Sequence, residues 1–448
     1  MILWSVVIYL LLPYVIFNLV WRGVRYPAYW HRWSERFGYI QPMTGERVIW
    51  LHAVSVGEVR SSAALINALE DRYPRHRILV TTMTPTGATQ VRALFGNRVD
   101  HAYVPYDFPG SVRRFMERVS PVFAVVAETE FWPNLFRACT QRGIPLILVN
   151  VRVSQPSLRG YLRVPRTTRA MLSNANLLCA QTRTDAQRLR NLGVAESLIR
   201  VTGNLKFDAP IPQALLDDGA RLRKKWGSMR PVVIAASTHR WEERKVLQAF
   251  AILRRAHADL LLVVVPRHPE RFGGVARLCE RAGYEVARRS RDRETLPAGV
   301  NILVGDTMGE LQKLYAASDV AFIGGSLVAK GGQNLLEACA VGVPVLFGPH
   351  MFHFEEISGM ALERGAGQQV HDPVELADTV ALYLQQPDLR EAAGEAARTL
   401  VADNRGAVER TLEAMDEALR RASPQLGASA RAGMEEEATL GGKPSMDS

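Results

Sequence analysis

The sequence lacks the short motifs that mark several common classes of nucleotide-dependent and metal-dependent enzyme. None of its 448 residues forms an Asp-x-Asp pair, so the metal-chelating motif of many nucleotide-sugar enzymes is absent. Neither G-x-x-x-x-G-K-[ST] nor G-x-G-x-x-G is present, which argues against a P-loop ATPase and against a NAD-dependent enzyme. His350 and His353 lie three residues apart but have no cysteine or carboxylate partners at metal-ligand spacing. We therefore predict no metal site and no cofactor.

Cysteine is scarce as well, and the four residues present form no C-x-x-C pair. Each lies in an apolar stretch, which predicts buried free thiols in a reducing compartment: Cys139, Cys179, Cys279 and Cys339. Lys and Arg number 55 against 45 Asp and Glu, for a net charge of +10. Such an excess suits an anionic partner, and since no nucleic-acid-binding motif accompanies it, an anionic membrane surface is favoured over nucleic acid.

Residues 1–21 carry no charged side chain, and as a helix they would extend about 31 Å, enough for the hydrocarbon core of a membrane. A basic and aromatic flank follows, with arginines at Arg22, Arg25, Arg32 and Arg36. We interpret 1–21 as a membrane anchor that leaves the body of the protein on the cytoplasmic face. A cleaved signal peptide would need a basic start and a small-residue cleavage site, both of which are missing. Pro13 interrupts the segment, so a spanning helix and an interfacial helix both stay open.

Short apolar runs alternate with helical patterns along the rest of the chain. The runs are 48–54, 77–83, 101–106, 122–128, 145–150 and 175–181, then 231–237, 260–266, 300–306, 320–325 and 343–348. Continuous apolar strands predict parallel, doubly wound sheets that are covered on both faces. A Pro- and Gly-rich stretch at 203–212 separates the two sets. We therefore predict an α/β fold of two Rossmann-like domains facing a central cleft, with a disordered tail at 423–448.

Two motifs in the first half place carboxylates after predicted strands. HAVSVGE (52–58) puts Glu58 at the start of a helix, where it either accepts a proton from a hydroxyl group or merely favours the positive end of the helix dipole. AETEFWPN (127–134) carries Glu128 and Glu130, which point in opposite directions if the chain is extended, so only one is expected to face the cleft. Trp132 in the same motif either stacks on a sugar or acyl chain or packs in a turn.

Two motifs in the second half suit phosphate and nucleotide recognition. PRHPER (266–271) places Arg267 after a strand, where its fork of donors matches a phosphate, whereas His268 is interpreted as structural. In GGSLVAKGGQNLLEA (324–338), glycines lead from a strand into a helix, and Asn334 and Glu337 lie one turn apart. Backbone amides at the start of that helix would hold a phosphate and Glu337 would bind ribose, but Asn-x-x-Glu is also a capping box. Both interpretations stay open.

Together these segments resemble the Kdo (3-deoxy-D-manno-oct-2-ulosonic acid) transferases of lipopolysaccharide synthesis, from the N-terminus to about residue 420. The resemblance is carried by ten motifs in order: HAVSVGE (52–58), TTMTPTG (81–87), VPYD (104–107), ETEFWPN (128–134), TGNLKFD (202–208), STH (237–239), PRHPERF (266–272), VGDTMGEL (304–311), FIGGSLV (322–328) and GPHMFHF (348–354). It implies a GT-B glycosyltransferase that transfers Kdo from CMP-Kdo to the lipid A precursor lipid IVA, with inversion and without a metal, at the bacterial inner membrane.

The resemblance also implies roles for individual residues. Glu58 matches the general base, and Glu130 and Lys206 match further catalytic positions. The CMP-binding positions correspond to Pro266, Arg267, Met308, Gly309, Gly325, Asn334 and Glu337. The sequence departs from well-known members at Gln333 and Leu335, in place of G-G-H-N-P, and at Arg240-Trp241, in place of Glu-Gly.

The domain boundaries predicted from these features are a membrane anchor over 1–21, an acceptor domain over 22–205 and a nucleotide-sugar domain over 206–422. Two other functions are compatible with the same features: a GT-B enzyme that uses a UDP-sugar, and a membrane-tethered binding module without turnover. The acidic residues at 58, 130 and 337 argue against the binding module.

Overall fold

The structure is a computed structural model, and it describes residues 8–43, 45–209, 211–291, 296 and 299–422. Residues 1–7 of the predicted anchor and the predicted tail at 423–448 lie outside the described residues. The chain forms two compact units. Unit 1 contains the residues up to Ala209 together with those from Arg405 onward, and unit 2 contains residues 210–404.

Unit 1 is built on a parallel sheet of seven strands in the order β3-β2-β1-β4-β5-β6-β7. The strands are β1 Val48–His52, β2 Arg77–Thr82, β3 Asp100–Tyr103, β4 Phe123–Ala127, β5 Leu146–Val151, β6 Leu177–Ala180 and β7 Ile199–Val201. Helices before and between them are α1 Leu12–Arg25, α2 Val56–Ser61, α3 Ala63–Arg72, α4 Pro85–Phe95, α5 Pro109–Val119, α6 Pro133–Gln141, α7 Gln155–Leu162, α8 Pro165–Leu172 and α9 Arg183–Asn191.

The central strands of this sheet are buried on both faces. Every residue of β1 and β4 is buried. Alternate residues of β1 enter different hydrophobic clusters, with Val48 and Trp50 in one and Ile49 and Leu51 in the other. Because side chains alternate across a strand, these clusters are the two cores on opposite faces of the sheet. The doubly wound parallel sheet predicted for the first half is confirmed.

Unit 2 repeats the architecture with a second seven-stranded parallel sheet in the order β10-β11-β9-β8-β12-β13-β14. Its strands are β8 Val232–Thr238, β9 Leu261–Pro266, β10 Val286–Arg288, β11 Ile302–Val304, β12 Val320–Ile323, β13 Val345–Phe347 and β14 Gly367–Gln369. Its helices are α10 Gln213–Trp226, α11 Glu242–Leu253, α12 Phe272–Arg281, α13 Leu311–Ala316, α14 Leu336–Ala340, α15 Glu355–Glu363, α16 Pro373–Gln385 and α17 Pro387–Asp403.

Each sheet has one point at which the strand order reverses. In unit 1 the reversal lies between β1 and β4, and in unit 2 it lies between β8 and β12. Open α/β sheets bind ligands in the crevice at the carboxyl ends of the strands that flank such a point. The segments that follow these four strands are therefore where each unit is expected to hold its functional groups.

The last helix, α18 (Ala407–Ala422), belongs to unit 1. Leu412, Met415 and Leu419 are buried in the same core cluster as Ile49 of β1, and Asp416 forms a salt bridge with Arg72 of α3. The prediction that 206–422 forms one domain differs from the structure here, since the chain returns to the first unit at Arg405. The sequence of an amphipathic helix does not show which of two sheets it will pack against, and this is why the prediction placed α18 in the second domain.

Helix α1 falls in the segment predicted as an anchor. Its last turn carries Arg22 and Arg25, whereas Phe17, Trp21 and Val24 are exposed. Within the described part of the chain, no helix has both the length and the apolar character needed to cross a membrane.

Candidate active site

Glu58 lies where the chain turns from β1 into α2, at the reversal point of the first sheet. The Ser55 hydroxyl oxygen caps α2 by accepting a hydrogen bond from the Glu58 amide at 3.4 Å. The Glu58 carboxylate in turn accepts hydrogen bonds from the Val54 amide at 2.6 Å and from the Ser55 hydroxyl at 3.1 Å. This pattern is a variant of the capping box in which the carboxylate accepts from the amide before the cap residue, and Glu58 does stabilise the helix start. The same bonds hold a nearly buried carboxylate, 9% exposed, in one orientation.

The surroundings of Glu58 favour its protonated form. Burial first, and then the charges of Glu128 and Glu130, raise the pKa of Glu58 from 4.5 to about 8, against the lowering effect of the hydrogen bonds from Val54 and Ser55. A carboxyl group with a pKa near the working pH is a stronger base than an ordinary glutamate and still loses its proton readily. The helix-capping role and a role in proton transfer are therefore compatible.

Glu128 begins the segment after β4, on the other side of the reversal point. Its φ of 58° lies in the left-handed region, which non-glycine residues seldom adopt. Its carboxylate lies 3.3 Å from the Lys206 ammonium group. Lys206 is held by a short 3-10 helix, whose start is capped by the Asn204 side chain accepting from the Lys206 amide at 3.0 Å. The TGNLKFD motif thus brings a cation to the carboxylates.

The prediction that only one of Glu128 and Glu130 faces the cleft stays a prediction, but its premise of an extended chain is wrong. Both carboxylates raise the pKa of Glu58, so both act on the same group. The prediction assumed an extended chain, and the left-handed backbone at Glu128 ends that geometry. Glu128, which the resemblance did not single out, is the partner of Lys206.

Glu130 and Trp132 hold each other in place. The indole N–H of Trp132 donates to Glu130 at 3.2 Å, and its ring meets the buried His52 ring edge to face at 6.0 Å. Burial raises the pKa of Glu130 as well. Pro133 then starts α6, where Asp107 of the VPYD motif accepts from two backbone amides at the helix start. Trp132 packs against the core of unit 1, which agrees with the packing interpretation, and its indole N–H orients the Glu130 carboxylate.

A cluster of basic side chains forms the corresponding site of unit 2, at the ends of β8 and β9. Pro266 ends β9, and the next side chain, Arg267, donates to Gln333 at 3.0 Å. Gln333 lies 3.3 Å from a ring nitrogen of His239, and the His239 and His268 rings are 5.5 Å apart. Burial first, and then the neighbouring positive charges of His268, Arg267, Lys330 and Arg271, lower the pKa of His239 to about 4. This cluster is suited to an anion.

Sequence reasoning missed His239, Lys330 and Gln333 as members of this cluster. The available signals were the STH motif at the end of β8 and the polar residues inside the glycine-rich segment. Gln333 stands where the resemblance leads one to expect histidine, and its amide bridges Arg267 and His239. The departure thus lies within the site itself.

The residues that directly follow β12 lie against the buried side chain of Glu242. The amides of Gly325, Ser326 and Leu327 donate to the carboxylate of Glu242 at 2.7 to 3.0 Å. These amides are therefore occupied by a protein carboxylate. Gly325 still borders the basic cluster, because a Cβ atom on it would lie 3.2 Å from the His239 ring, and its φ of 72° favours glycine.

Asn334 and Glu337 lie together at the start of α14, as predicted. The Asn334 side chain accepts from the Leu336 amide at 3.1 Å and donates to Glu337 at 3.3 Å. The cap residue of the helix is Leu335, which has no side-chain cap, so the bond from Leu336 to Asn334 is not that of a capping box. Met308 and Gly309 follow β11, which pairs with β9, and the Met308 side chain is exposed. No group of three or more metal-binding side chains is found among the described residues.

Comparison with known proteins identifies the family. Residues 31–209 match the family "3-Deoxy-D-manno-octulosonic-acid transferase (kdotransferase)", and residues 223–400 match "Glycosyl transferases group 1". The 3-deoxy-D-manno-octulosonic acid transferase of Haemophilus influenzae is 38% identical over 405 residues, covering 89% of this chain and 94% of that protein. The chain belongs to the Kdo transferase family. It is a glycosyltransferase, and the recognition made from its motifs is confirmed.

A second relative and a solved structure agree with this assignment. The 3-deoxy-D-manno-octulosonic acid transferase of Bordetella pertussis is 39% identical over 380 residues, covering 82% of this chain and 87% of that protein. A glycosyltransferase structure from Rickettsia africae superimposes with a TM-score of 0.56 at 16% identity, covering 84% of this chain and 99% of that one. At this identity the structural likeness supports the GT-B fold alone. The glycosyltransferase activity of this Kdo transferase family member is therefore assigned from the family and its relatives, and not from this structural likeness.

Proposed function

We propose that this chain transfers Kdo from CMP-Kdo to lipid IVA, with inversion at the anomeric carbon and without a metal, and that Glu58 is the general base. The observation that carries the proposal is the buried Glu58 carboxyl group, whose pKa is raised to about 8 at the reversal point of the first sheet. In the reaction, Glu58 takes the proton of the acceptor hydroxyl. The acceptor oxygen then bonds to the anomeric carbon as the bond to the CMP phosphate breaks, and CMP leaves.

The neighbours of Glu58 act on its proton affinity in this proposal. Glu128 and Glu130 keep the base strong by opposing its ionisation, and Lys206 offsets part of the charge of Glu128. A hydroxyl group is a poor nucleophile at neutral pH, so a base of raised pKa increases the fraction of its proton transferred in the transition state. Glu130 and Lys206 thus act on the reaction through the proton affinity of the base.

The donor is assigned to the basic cluster of unit 2. CMP-Kdo carries one phosphate and a sugar carboxylate. Arg267 and Lys330 provide positive charge for such a ligand, and His239, which is neutral with its lowered pKa, provides a ring N–H donor. Glu337 and Asn334 are assigned to the ribose hydroxyls, and the exposed Met308 with Gly309 to the nucleotide base. Because arginine neutralises the phosphate, the transfer is expected to proceed without a divalent cation.

Membrane attachment through residues 1–21 is part of the same proposal, with the active site on the cytoplasmic face of the bacterial inner membrane. It is supported by the exposed apolar side chains of α1, among them Phe17, Trp21 and Val24, and by the arginines in its last turn. An apolar helix face flanked by basic residues partitions into the interface of an anionic membrane. No nucleic-acid partner is proposed.

The decisive experiment incubates the purified protein with CMP-Kdo and lipid IVA in the presence of EDTA and weighs the products by mass spectrometry. The expected product is heavier than lipid IVA by whole Kdo residues, and proton NMR should show the anomeric configuration opposite to that of the donor. CMP, but not UDP, should inhibit the reaction competitively. Competition by UDP alone, or activity restored only by added magnesium, would contradict the donor assignment and the metal-independent mechanism respectively.

A further inference from the structure

A cavity of about 540 Å³ lies between the start of α11 and the length of α12 in unit 2. Five arginines and two glutamates line it. Its size is within the range of small-ligand sites. Arg271 and Glu243 form an ion pair at 2.5 Å and largely offset each other. The excess positive charge therefore comes from four arginines opposed by Glu270 alone: Arg240, Arg244, Arg277 and Arg281.

Trp241 lines this cavity and has a strained backbone conformation. Its φ of 76° lies in the left-handed region, where a bulky side chain is rare and glycine is free of strain. Its side chain is nevertheless 54% exposed, so burial of the indole does not account for a tryptophan here. Strained residues persist where the surroundings or a function require them.

The indole of Trp241 orders two of the arginines. The guanidinium carbons of Arg240 and Arg244 lie over its ring, 4.8 and 5.0 Å from the centroid. Stacking uses the flat face of a guanidinium group and leaves the N–H donors at its edge available. Two stacked guanidinium groups therefore present pre-ordered donors, and less side-chain entropy remains to be lost when a ligand binds.

The other two arginines extend the same surface along α12. Arg277 and Arg281 lie one turn apart and line the cavity. Among the described residues, neither has a hydrogen bond or an ion pair from its side chain. Four cations that are held close together without matching carboxylates repel one another, and an anion would relieve that repulsion.

We propose that this cavity binds a phosphate group, carried either by a soluble phosphomonoester or by a lipid headgroup. Guanidinium groups bind phosphate through paired N–H donors, and the ordered pair on Trp241 offers two such forks. The site adjoins the proposed donor cluster around Arg267 through Arg271, but Arg240, Arg244, Arg277 and Arg281 are not part of that cluster, and the site needs no transfer reaction to be occupied. It therefore goes beyond the proposed function.

The test measures binding rather than turnover. Glucose 6-phosphate is titrated by calorimetry at constant ionic strength into the Arg267→Gln protein, in which phosphate binding at the donor cluster is weakened. In the same background, Arg244→Gln should weaken the remaining binding by about tenfold or more, as expected for a lost charge-assisted pair. The matched control is Arg255→Gln, because Arg255 is an exposed arginine beyond the far end of α11. Equal binding by the Arg244→Gln and Arg255→Gln proteins would overturn the proposal for a soluble ligand.

A second arm uses vesicles of phosphatidylcholine with and without phosphatidic acid. Loss of phosphatidic-acid-dependent binding in Arg244→Gln, with Arg255→Gln unaffected, would assign the site to a lipid headgroup. If Arg244→Gln changed neither glucose 6-phosphate binding nor vesicle binding, the proposed phosphate site would be refuted. Trp241→Gly should melt no lower than wild type, since glycine suits this backbone, and should weaken binding in the same arm as Arg244→Gln. Undiminished binding by a folded Trp241→Gly protein would refute the ordering of the arginines.

Discussion

Replacing Glu58 by Gln tests the proposed base most directly. The substitution preserves the size of the side chain and an oxygen that accepts from Val54, but it removes the proton acceptor. Loss of a general base lowers rates by about a hundred- to ten-thousandfold. We therefore expect the variant to bind CMP normally and to transfer Kdo at a hundredth of the wild-type rate or less, in a single-turnover assay with saturating CMP-Kdo.

The pH dependence of the wild-type enzyme follows from the same group. With a pKa of about 8, Glu58 is about one-tenth ionised at pH 7. Since the ionised form is the base, the rate should rise roughly fiftyfold between pH 6 and pH 8 and then level off. Glu128→Gln removes a charge that raises this pKa, so its profile should shift to lower pH. A wild-type rate that is flat over this interval would refute the assignment.

The unfolding free energy of the Glu58→Gln protein tests whether Glu58 has only a structural role. Because the pKa of Glu58 is raised on folding from 4.5 to about 8, its contribution to stability is fully present below pH 4.5 and is lost as the pH rises through 8. Glu58→Gln has no such loss, so its unfolding free energy relative to wild type should increase with pH, by a few kcal/mol at most. If the variant were instead less stable at pH 8 and failed to bind CMP, the helix-capping role alone would explain Glu58.

Three further predictions concern the surroundings of the base, the donor and the membrane. Lys206→Met removes the positive charge beside Glu128, so the pKa of Glu58 should rise and the pH–rate profile should move to higher pH. An unshifted profile would show that Lys206 does not act on the pKa of Glu58. Arg267→Lys should raise the KM for CMP-Kdo about tenfold at unchanged kcat, because a point charge cannot make a two-pronged phosphate contact; an unchanged KM would refute the donor role. Deleting residues 1–21 should abolish flotation with anionic vesicles in high salt while CMP affinity is retained, and persistent flotation would require another anchoring surface.

The central parts of both sheets could be predicted because their strands are long apolar runs. Phe123–Ala127 and Leu261–Pro266 are buried along their whole length, and such runs are visible in sequence. The strands that were missed are the edge strands Ile199–Val201, Val286–Arg288 and Gly367–Gln369, each of three residues. An edge strand pairs on one side only, and so short a run carries no readable periodicity.

The candidate site could be predicted where a residue follows its strand directly, as Glu58 and Arg267 do. Pairings between distant segments could not be predicted. Glu242 accepts from Gly325 across 83 residues of sequence, and this carboxylate occupies the amides that directly follow β12. The glycines of this segment are visible in sequence, but only the folded chain brings the carboxylate to them.

The return of α18 to the first unit has a consequence for the order in which the protein is made. Unit 2 is one uninterrupted stretch of chain, whereas unit 1 takes its last helix from residues beyond Arg405. During synthesis the first sheet leaves the ribosome early, yet Leu412 and Met415 complete its core only after all of unit 2 has been translated. The half that is translated first is therefore the half that is completed last, and its uncovered apolar face must avoid other chains until then.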